Sequence, residues 1–323
     1  MARPIMGAPV DRGTVFKITH AGAESVLYAF TGGSDGANPE ASMVQGAGIN
    51  FYGTTYNGGY GYGTVFRLSV ATSDFNGDGY SDLLFQNAAT GQLCVWFMTG
   101  VTAADGSFIT PTQNPVWIAV GDADFNQDGN PDILFQNSGT GQLALWLMND
   151  ATATGGQILS STLPSGWKVV SIADFNGDGS PDILLQNSST GQLAIWYMSG
   201  TTVLSGAYVT PTPPSGWTAV GTGDLNKDGQ PDILFENLST GQLAVWYMSN
   251  NTATGGSYVT PSQQAGWRCV SVIDLNGDGW PDLVFQNTSS GQLVYWLMNG
   301  VNAVHGGYFS VQPQAGWQVV GPH

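Results

Sequence analysis

The stretch DFNQDGNPDILFQN, residues 124–137, decides the fold. It places Asp, Asn and Asp at alternate positions, then a glycine, and then a ninth-position Asp that begins an apolar run. Alternate oxygen-bearing side chains in a tight loop suit Ca²⁺, a hard cation that takes oxygen ligands. The twelfth-position glutamate of a helix–loop–helix calcium site is missing, because Phe135 stands there. We therefore predict that Asp132 closes the site and that a strand follows it.

The same loop occurs five times at a spacing of 50 residues, without insertions. Ten of the 11 tryptophans keep the same spacing and fall into two registers. The first register lies within a predicted strand and comprises Trp96, Trp146, Trp196, Trp246 and Trp296. The second register starts a strand after a Pro/Ser/Gly turn and comprises Trp117, Trp167, Trp217, Trp267 and Trp317. Such a strict period predicts a repeat architecture.

Each repeat is predicted to hold four strands, which in the third repeat are residues 167–173, 182–187, 191–198 and 207–211. The central strands are apolar on both faces, so each needs cover on both sides. Small sheets stacked around an axis supply that cover, and repeats of 40–50 residues with four strands favour a β-propeller. A linear solenoid is the competing architecture.

We predict an all-β propeller of four-stranded blades, with six blades favoured and seven as the alternative. Residues 1–12 form an N-terminal extension, and residues 13–62 a divergent blade, because GTVFKI at Gly13 and GTVFRL at Gly63 keep the 50-residue spacing. Residues 63–314 form five regular blades. Residues 315–323 are a spare first strand, predicted to close the ring against the N-terminal unit, to start a seventh blade, or to pair with another molecule.

Composition excludes several classes of protein. A net charge of −16 argues against nucleic acid as a partner, because phosphate binding needs a basic surface. No apolar run approaches the roughly 20 residues that span a bilayer, so membrane insertion is not expected. Two cysteines, Cys94 and Cys269, are too few for a disulfide framework and are predicted to be buried free thiols. No signal peptide is visible at the N-terminus.

The five loops carry 15 of the 23 acidic residues, so about five structural Ca²⁺ ions are predicted. The ligands come from loop positions 1, 3, 5 and 9, with the backbone carbonyl at the variable position 7. They are Asp74, Asn76, Asp78, Tyr80 and Asp82; Asp124, Asn126, Asp128, Asn130 and Asp132; Asp174, Asn176, Asp178, Ser180 and Asp182; Asp224, Asn226, Asp228, Gln230 and Asp232; and Asp274, Asn276, Asp278, Trp280 and Asp282. Sites of this kind bind calcium at about 10⁻⁴–10⁻³ M, which suits the outside of cells.

The loops resemble the FG-GAP/VCBS repeat family, whose mark is D-x-[ND]-x-D-G-x-x-D followed by an apolar strand. The resemblance covers about residues 63–321. Related repeats form the calcium-bearing propellers of integrin α chains and of some fungal and bacterial lectins. The resemblance implies a bacterial secreted, calcium-bearing propeller. Residues 13–62 resemble a different, GTVF-type bacterial repeat. They lack the aspartate loop, since GGSDGANPEA (32–41) holds only Asp35 and Glu40, so no sixth calcium site is expected.

The aromatic side chains are the candidate ligand contacts. The mid-strand tryptophans are interpreted as core, and the strand-starting ones, Trp117, Trp167, Trp217, Trp267 and Trp317, as candidate ligand-binding residues near a rim. The Gln-Asn pairs that end the second strand are predicted to bond the following turn, with Glu236 breaking the pattern. His20, His305 and His323 are scattered, and no catalytic constellation is found, so no enzyme is predicted.

The sequence thus predicts an extracellular or cell-surface, calcium-stabilised binding or adhesion module. Its expected partners are glycans or a cell-surface or extracellular protein. The alternative is a structural protein that assembles head to tail through its terminal strands. A hydrolase is the less favoured third hypothesis.

Overall fold

The computed structural model describes residues 12–18, 24–45, 50–69 and 72–321. The predicted extension, apart from Arg12, and both His20 and His323 lie outside these ranges. The described chain consists of β-strands and a 3-10 turn at Gly59–Gly61. In those ranges no helix has the length and apolarity needed to cross a membrane.

Two small sheets precede the repeats. One pairs β1 with β2 and the other orders β3, β4 and β5 side by side. These strands are β1 (Thr14–Ile18), β2 (Glu24–Ala29), β3 (Val44–Gln45), β4 (Asn50–Thr55) and β5 (Thr64–Ser69).

The repeats form five antiparallel sheets of four strands, and each sheet is one blade. The strands of each blade are given from first to fourth. Blade 1 holds β25 (Trp317–Gly321), β6 (Leu83–Asn87), β7 (Leu93–Thr99) and β8 (Thr102–Ile109). Blade 2 holds β9 (Trp117–Ala123), β10 (Asp132–Asn137), β11 (Gln142–Asn149) and β12 (Thr152–Thr162). Blade 3 holds β13 (Trp167–Ala173), β14 (Asp182–Asn187), β15 (Leu193–Ser199) and β16 (Thr202–Tyr208). Blade 4 holds β17 (Trp217–Gly223), β18 (Asp232–Asn237), β19 (Gln242–Ser249) and β20 (Thr252–Tyr258). Blade 5 holds β21 (Trp267–Ile273), β22 (Asp282–Asn287), β23 (Leu293–Asn299) and β24 (Asn302–Tyr308).

The first strands of the blades meet in a closed cycle. β9 contacts β13, β13 contacts β17, β17 contacts β21, β21 contacts β25, and β25 returns to β9. This cycle makes the repeats a ring, which confirms the β-propeller and rules out the linear solenoid.

Apolar residues on both faces of the central strands hold the ring together. In β10, Ile133 and Phe135 pack against blade 1, whereas Leu134 packs against blade 3, and all three are fully buried. Loop residue Phe125, between the first two oxygen donors, points into the same core as Leu134. Alternation along the strand thus supplies both neighbouring interfaces at once.

The prediction of six or seven blades is wrong, because the ring has five. The spare strand fills the first position of blade 1, where Trp317 pairs with Asn87 as Trp117 pairs with Asn137 in blade 2. Its sequence, WQVVG, matches the other first strands. β5 carries Phe66 in place of that tryptophan, and it pairs with β4 instead.

The described residues between 12 and 69 therefore stand outside the ring as two small sheets. Phe30 and Phe66 pack edge to face across them, with ring centroids 5.0 Å apart. Asp35, in the turn after β2, accepts hydrogen bonds from Thr31 and from the Tyr28 hydroxyl. The matched GTVF sequences kept the 50-residue period here without forming a four-stranded blade.

The predicted strands of the third repeat differ from the structure in their second half. The third strand is Leu193–Ser199, and the fourth is Thr202–Tyr208. The fourth strand starts directly after a tight turn at Gly200, whose φ of 54° lies in the left-handed region. The prediction placed that strand at residues 207–211 and so missed its first five residues.

Candidate functional site

The aspartate loops fold around their own backbone. In the loop of blade 2, Asp124 accepts hydrogen bonds from the backbone N–H of Asp128 at 3.0 Å and of Gly129 at 2.8 Å. Asn126 Oδ1 also accepts from Asp128 N–H, and Asp128 Oδ1 accepts from Asn130 N–H, both at 2.9 Å. The sixth-position glycine has a φ of 94°, which explains why glycine stands there in all five loops.

The ninth-position aspartate joins the loop to the third strand of its blade. Asp132 is fully buried, and its two oxygens accept hydrogen bonds from Phe125 N–H at 3.1 Å and Met148 N–H at 3.0 Å. The other four loops repeat this arrangement with Asp82, Asp182, Asp232 and Asp282. The ninth residue is thus an internal acceptor that pins the loop to β11 or its equivalent.

Burial disfavours the charged form of these ninth-position carboxylates, and their hydrogen bonds offset this cost only in part. Burial, together with the charges of Asp124 and Asp128, raises the pKa of Asp132 to about 7 against the stabilising backbone N–H groups. The pKa values of the four equivalent aspartates are raised for the same first reason. A cation in the loop would supply the opposite charge that three neighbouring carboxylates need.

The donor set has the chemistry of a hard-cation site, since it contains only carboxylate, amide and carbonyl oxygens. In the conformation described, the carboxylates face the loop's own N–H groups. No group of three or more His, Cys, Asp or Glu side chains in the described ranges is arranged to hold a metal ion. Each carboxylate still has lone pairs beyond those its hydrogen bonds use, so the donors fit Ca²⁺ in kind.

Neighbouring loops touch through their fourth residue. Lys227 Nζ donates to the carbonyl of Asp278 at 3.3 Å and lies 3.9 Å from the centre of the Trp280 ring. Gln127 reaches the carbonyl of Gly179 at 3.4 Å in the same way. Trp280, the tryptophan outside both registers, thus contacts the preceding blade's loop.

The strand-starting tryptophans lie beside a second aromatic ring on the fourth strand of the same blade. Ring centroids are 6.2 Å apart for Trp167 and Tyr208, and 6.3 Å apart for Trp217 and Tyr258. Trp267 pairs with Tyr308 at 6.2 Å, and Trp317 pairs with Phe108 at 5.9 Å. In blade 2 the fourth-strand position beside Trp117 is Ile158.

The mid-strand tryptophans are half-buried. Trp146 packs on Phe135 with centroids 4.9 Å apart, and Trp296 packs on Phe285 at 4.6 Å. The fourth strand carries a glycine opposite each of these tryptophans; a Cβ at Gly306 would come within 2.8 Å of Trp296. The glycine lets the indole lie over the outer strand, and both tryptophan registers pack against the core while keeping exposed edges.

In blade 4 these side chains line a groove. The cavity there has a volume of about 330 Å³. Its walls include Trp217, Trp246, Tyr258 and Pro214, and its outer side is the backbone at Gly256. That volume lies at the lower end of small-ligand sites.

The fourth-strand aromatic rings are site residues that the sequence predictions missed. They are Phe108, Tyr208, Tyr258 and Tyr308. Their 50-residue spacing and their position two residues after the fourth-strand glycine were the available signal. Such a spacing does not indicate which residue lies beside the tryptophan at the other end of the sheet.

The glutamines at the end of the second strand join neighbouring blades. Gln86 donates to the carbonyl of Trp117 at 2.9 Å and accepts from Ala119 N–H at 3.0 Å. Gln136, Gln186 and Gln286 repeat this bond to the next blade. The following asparagine, for example Asn137, bonds the turn instead. Bonding of the turn was therefore predicted correctly for the asparagines. It also holds for Gln186 and Gln286, which donate to the carbonyls of Gly191 and Gly291 at 3.1 Å in addition to bridging blades.

The remaining reactive side chains do not form a cluster. Cys94 is half-buried and Cys269 is buried, both as free thiols. Burial raises the pKa of Cys94 to about 11, so its thiolate is disfavoured. His305 lies on the exposed side of β24, 6.3 Å from the ring of Tyr295.

Comparison with known proteins supports the repeat family. The profile described as FG-GAP-like repeat matches residues 124–185 and 174–235. No curated protein matches the sequence. Residues 124–235 of the propeller therefore match FG-GAP-like repeats, as predicted, while the GTVF-type resemblance of residues 13–62 stays a prediction.

Solved structures show only distant similarity. The Photorhabdus luminescens Tc holotoxin pore is 15% identical over 94% of this chain and 15% of its own, with a TM-score of 0.43. A protein of unknown function from Bacteroides caccae is 11% identical over 70% of this chain and 72% of its own, with a TM-score of 0.36. The Dos1 propeller is 11% identical over 82% and 71%, with a TM-score of 0.34. Nothing about function is transferred at these values.

Proposed function

We propose that this FG-GAP-like β-propeller is a calcium-stabilised binding or adhesion module that works outside cells and binds carbohydrate. The observation that carries the proposal is the repeated aromatic pair, in which a strand-starting tryptophan lies beside an exposed aromatic ring on four of the five blades. Aromatic faces that remain exposed beside polar groups are typical of binding surfaces. No catalytic step is part of the proposal.

Calcium is proposed as a structural ligand of the five loops. The side chains at positions 1, 3, 5 and 9 and the carbonyl at position 7 would hold it. Bound calcium would neutralise carboxylates that are now buried close together, and five ions would bring the formal charge from −16 to −6. The low affinity expected of such sites favours millimolar calcium, hence a location outside cells.

Thermal unfolding tests the role of calcium. We expect a higher midpoint in millimolar Ca²⁺ than in EGTA, because a ligand that binds only the folded chain stabilises it by mass action. Magnesium at equal ionic strength is the control for general screening of the −16 charge. An unfolding midpoint that is the same in Ca²⁺ and in EGTA would contradict a structural role for calcium.

A glycan array on calcium-loaded protein tests the ligand class. We expect selective binding that weakens when Trp217 and Tyr258 are both replaced by alanine, because three other blades keep an aromatic pair, with an unchanged circular dichroism spectrum. An array without hits would overturn carbohydrate binding. The rival hypothesis of assembly through the terminal strands loses one of its strands, because β25 pairs with β6 in the same chain. The outer strands of the two N-terminal sheets remain for it.

A further inference from the structure

We infer that the ligand is an uncharged, hydroxyl-bearing sugar ring, and that the fourth-strand aromatic side chain determines which blades bind it, so that four of the five blades are functional. This inference rests on the proposed binding of carbohydrate. It assigns a specificity role to Phe108, Tyr208, Tyr258 and Tyr308, and it names blade 2 as the silent blade.

The lining of the groove indicates an uncharged ligand. In blade 4 the walls are formed by proline, tryptophan, phenylalanine, alanine, valine, glycine, serine and tyrosine, without an acidic or basic side chain. A chain with a net charge of −16 also repels anions before they reach the groove. Sialylated, sulfated or uronic sugars therefore gain no partner here and meet an unfavourable field.

The geometry of the rings indicates stacking on one combined surface. The centroids of Trp217 and Tyr258 are 6.3 Å apart and the rings are tilted by 35°. A ring held between two aromatic faces needs about 3.5–4 Å on each side, which is more than this gap. The two rings instead form one bent apolar platform, which suits the C–H face of a pyranose.

Polar groups at the edge of the platform indicate a ligand with hydroxyls. Tyr258 is 59% exposed, and its hydroxyl has no hydrogen-bond partner among the described residues. The indole N–H groups of Trp217 and Trp246 have no acceptor among the described residues and are not fully buried. Donors of this kind, beside an apolar face, match the alternating surface of a neutral sugar.

Blade 2 provides the natural comparison. It keeps Trp117, Trp146 and the fourth-strand Gly156, which would meet Trp146 at 3.1 Å if it carried a Cβ. Only the outer ring is missing, since Ile158 occupies that position and is 57% exposed. The platform there is half as wide, so the stacking contact with a sugar face is reduced.

Counting bound sugars by native mass spectrometry tests the inference. The probes are cellotetraose, chitotetraose and mannotetraose as neutral ligands, and tetragalacturonic acid as the anionic one, all with calcium-loaded protein. We expect up to four neutral ligands on the wild type, three on Tyr258→Ile and five on Ile158→Tyr. The affinity lost at the altered blade is about tenfold. Val304→Tyr, which adds an exposed ring elsewhere on β24, should leave the count at four.

The outcomes separate the inference from the proposed function. Equal counts for the wild type, Tyr258→Ile and Ile158→Tyr would overturn the role of the fourth-strand ring, although binding itself would stand. Preference for tetragalacturonic acid, or array hits restricted to anionic glycans, would overturn the neutral class alone. Absence of any glycan binding would overturn the proposed function as well. Equal melting temperatures of the variants and the wild type show that the loss of a binding site is not caused by unfolding.

Discussion

The next-to-last residue of a blade's second strand bonds the next blade and so forms the junction between them. Two kinds of junction differ in one atom of this residue's side chain. At the junction of blades 3 and 4, Gln186 Nε2 donates to the carbonyl of Trp217 at 3.4 Å and its Oε1 accepts from Ala219 N–H at 3.1 Å. At the junction of blades 4 and 5, the equivalent residue is Glu236, which accepts from Cys269 N–H at 3.2 Å. Glutamate has no donor, so it cannot bond the carbonyl of Trp267.

Two other residues supply the missing donor. Gln263 Nε2 donates to the carbonyl of Trp267 at 3.1 Å, and Arg268 donates to it at 3.0 Å. Both also bond Glu236, with Arg268 forming an ion pair at 3.1 Å. The difference teaches that the buried glutamine that bridges two blades can be replaced by a charged glutamate only when a cation and a second donor accompany it.

The largest effect is expected for Gln186→Glu, which places the charge in a junction built for an amide. The residue at the Arg268 position there is Thr218, and the residue at the Gln263 position is Pro213, so neither a cation nor an amide donor stands at these positions. We expect a loss of about 3–5 kcal/mol in the free energy of unfolding, because a buried charge without a partner is costly. Urea unfolding measures it, with exposed Gln314→Glu as the control. A loss below about 1 kcal/mol would show that the junction tolerates charge.

Arg268→Met should have the next largest effect, since it removes the cation beside fully buried Glu236. We expect a loss of about 1–3 kcal/mol at pH 8, less than for a fully buried pair because the arginine side chain is 36% exposed. Urea unfolding at several pH values gives both the loss and its pH dependence.

The sign of the pH dependence follows from the carboxyl group. Burial raises the pKa of Glu236, and Arg268 opposes that rise. A raised pKa means that the folded chain holds the proton more tightly, so stability falls as pH rises from the ordinary glutamate range through the folded-state pKa. Without Arg268 this fall is larger. The difference between variant and wild type should therefore be small near pH 4 and grow toward pH 8; a constant difference would argue against an electrostatic cause.

Glu236→Gln should change stability by less than about 1 kcal/mol. It restores the residue of the other four junctions, and replacing a charged pair by a neutral group is often close to neutral. The partly exposed Arg268 keeps its bond to the Trp267 carbonyl. Thermal and urea unfolding in parallel measure the change. A loss as large as that of Gln186→Glu would mean that this junction depends on the charge itself.

Lys168→Met should have the smallest effect, within about 0.5 kcal/mol. Lys168 lies at the position equivalent to Arg268 in the junction of blades 2 and 3, but the residue that bridges these blades is the neutral Gln136. The side chain is exposed, so nothing buried depends on its charge. A clear loss would show that the cation matters apart from the glutamate, and the comparison of junctions would fail.

The sequence by itself determined the repeated parts of this protein. The 50-residue period, the two-sided apolar strands and the turn chemistry are local features, and each of the five copies reinforces the others. They led correctly to four-stranded blades of a propeller. Glu236 could be singled out as an exception for the same reason, because four sister positions show what is ordinary.

Tertiary structure alone decided how many blades close the ring and what each site contains. Closure depends on which strand pairs with β6, and β25 and β5 compete for that edge from opposite ends of the chain. The partner of Trp217 in its groove is Tyr258, 41 residues later, and the partner of Gln186 is the backbone at Trp217 in the next blade. The first contact joins the two outer strands of one blade and the second joins neighbouring blades, so neither follows from a local period of the sequence.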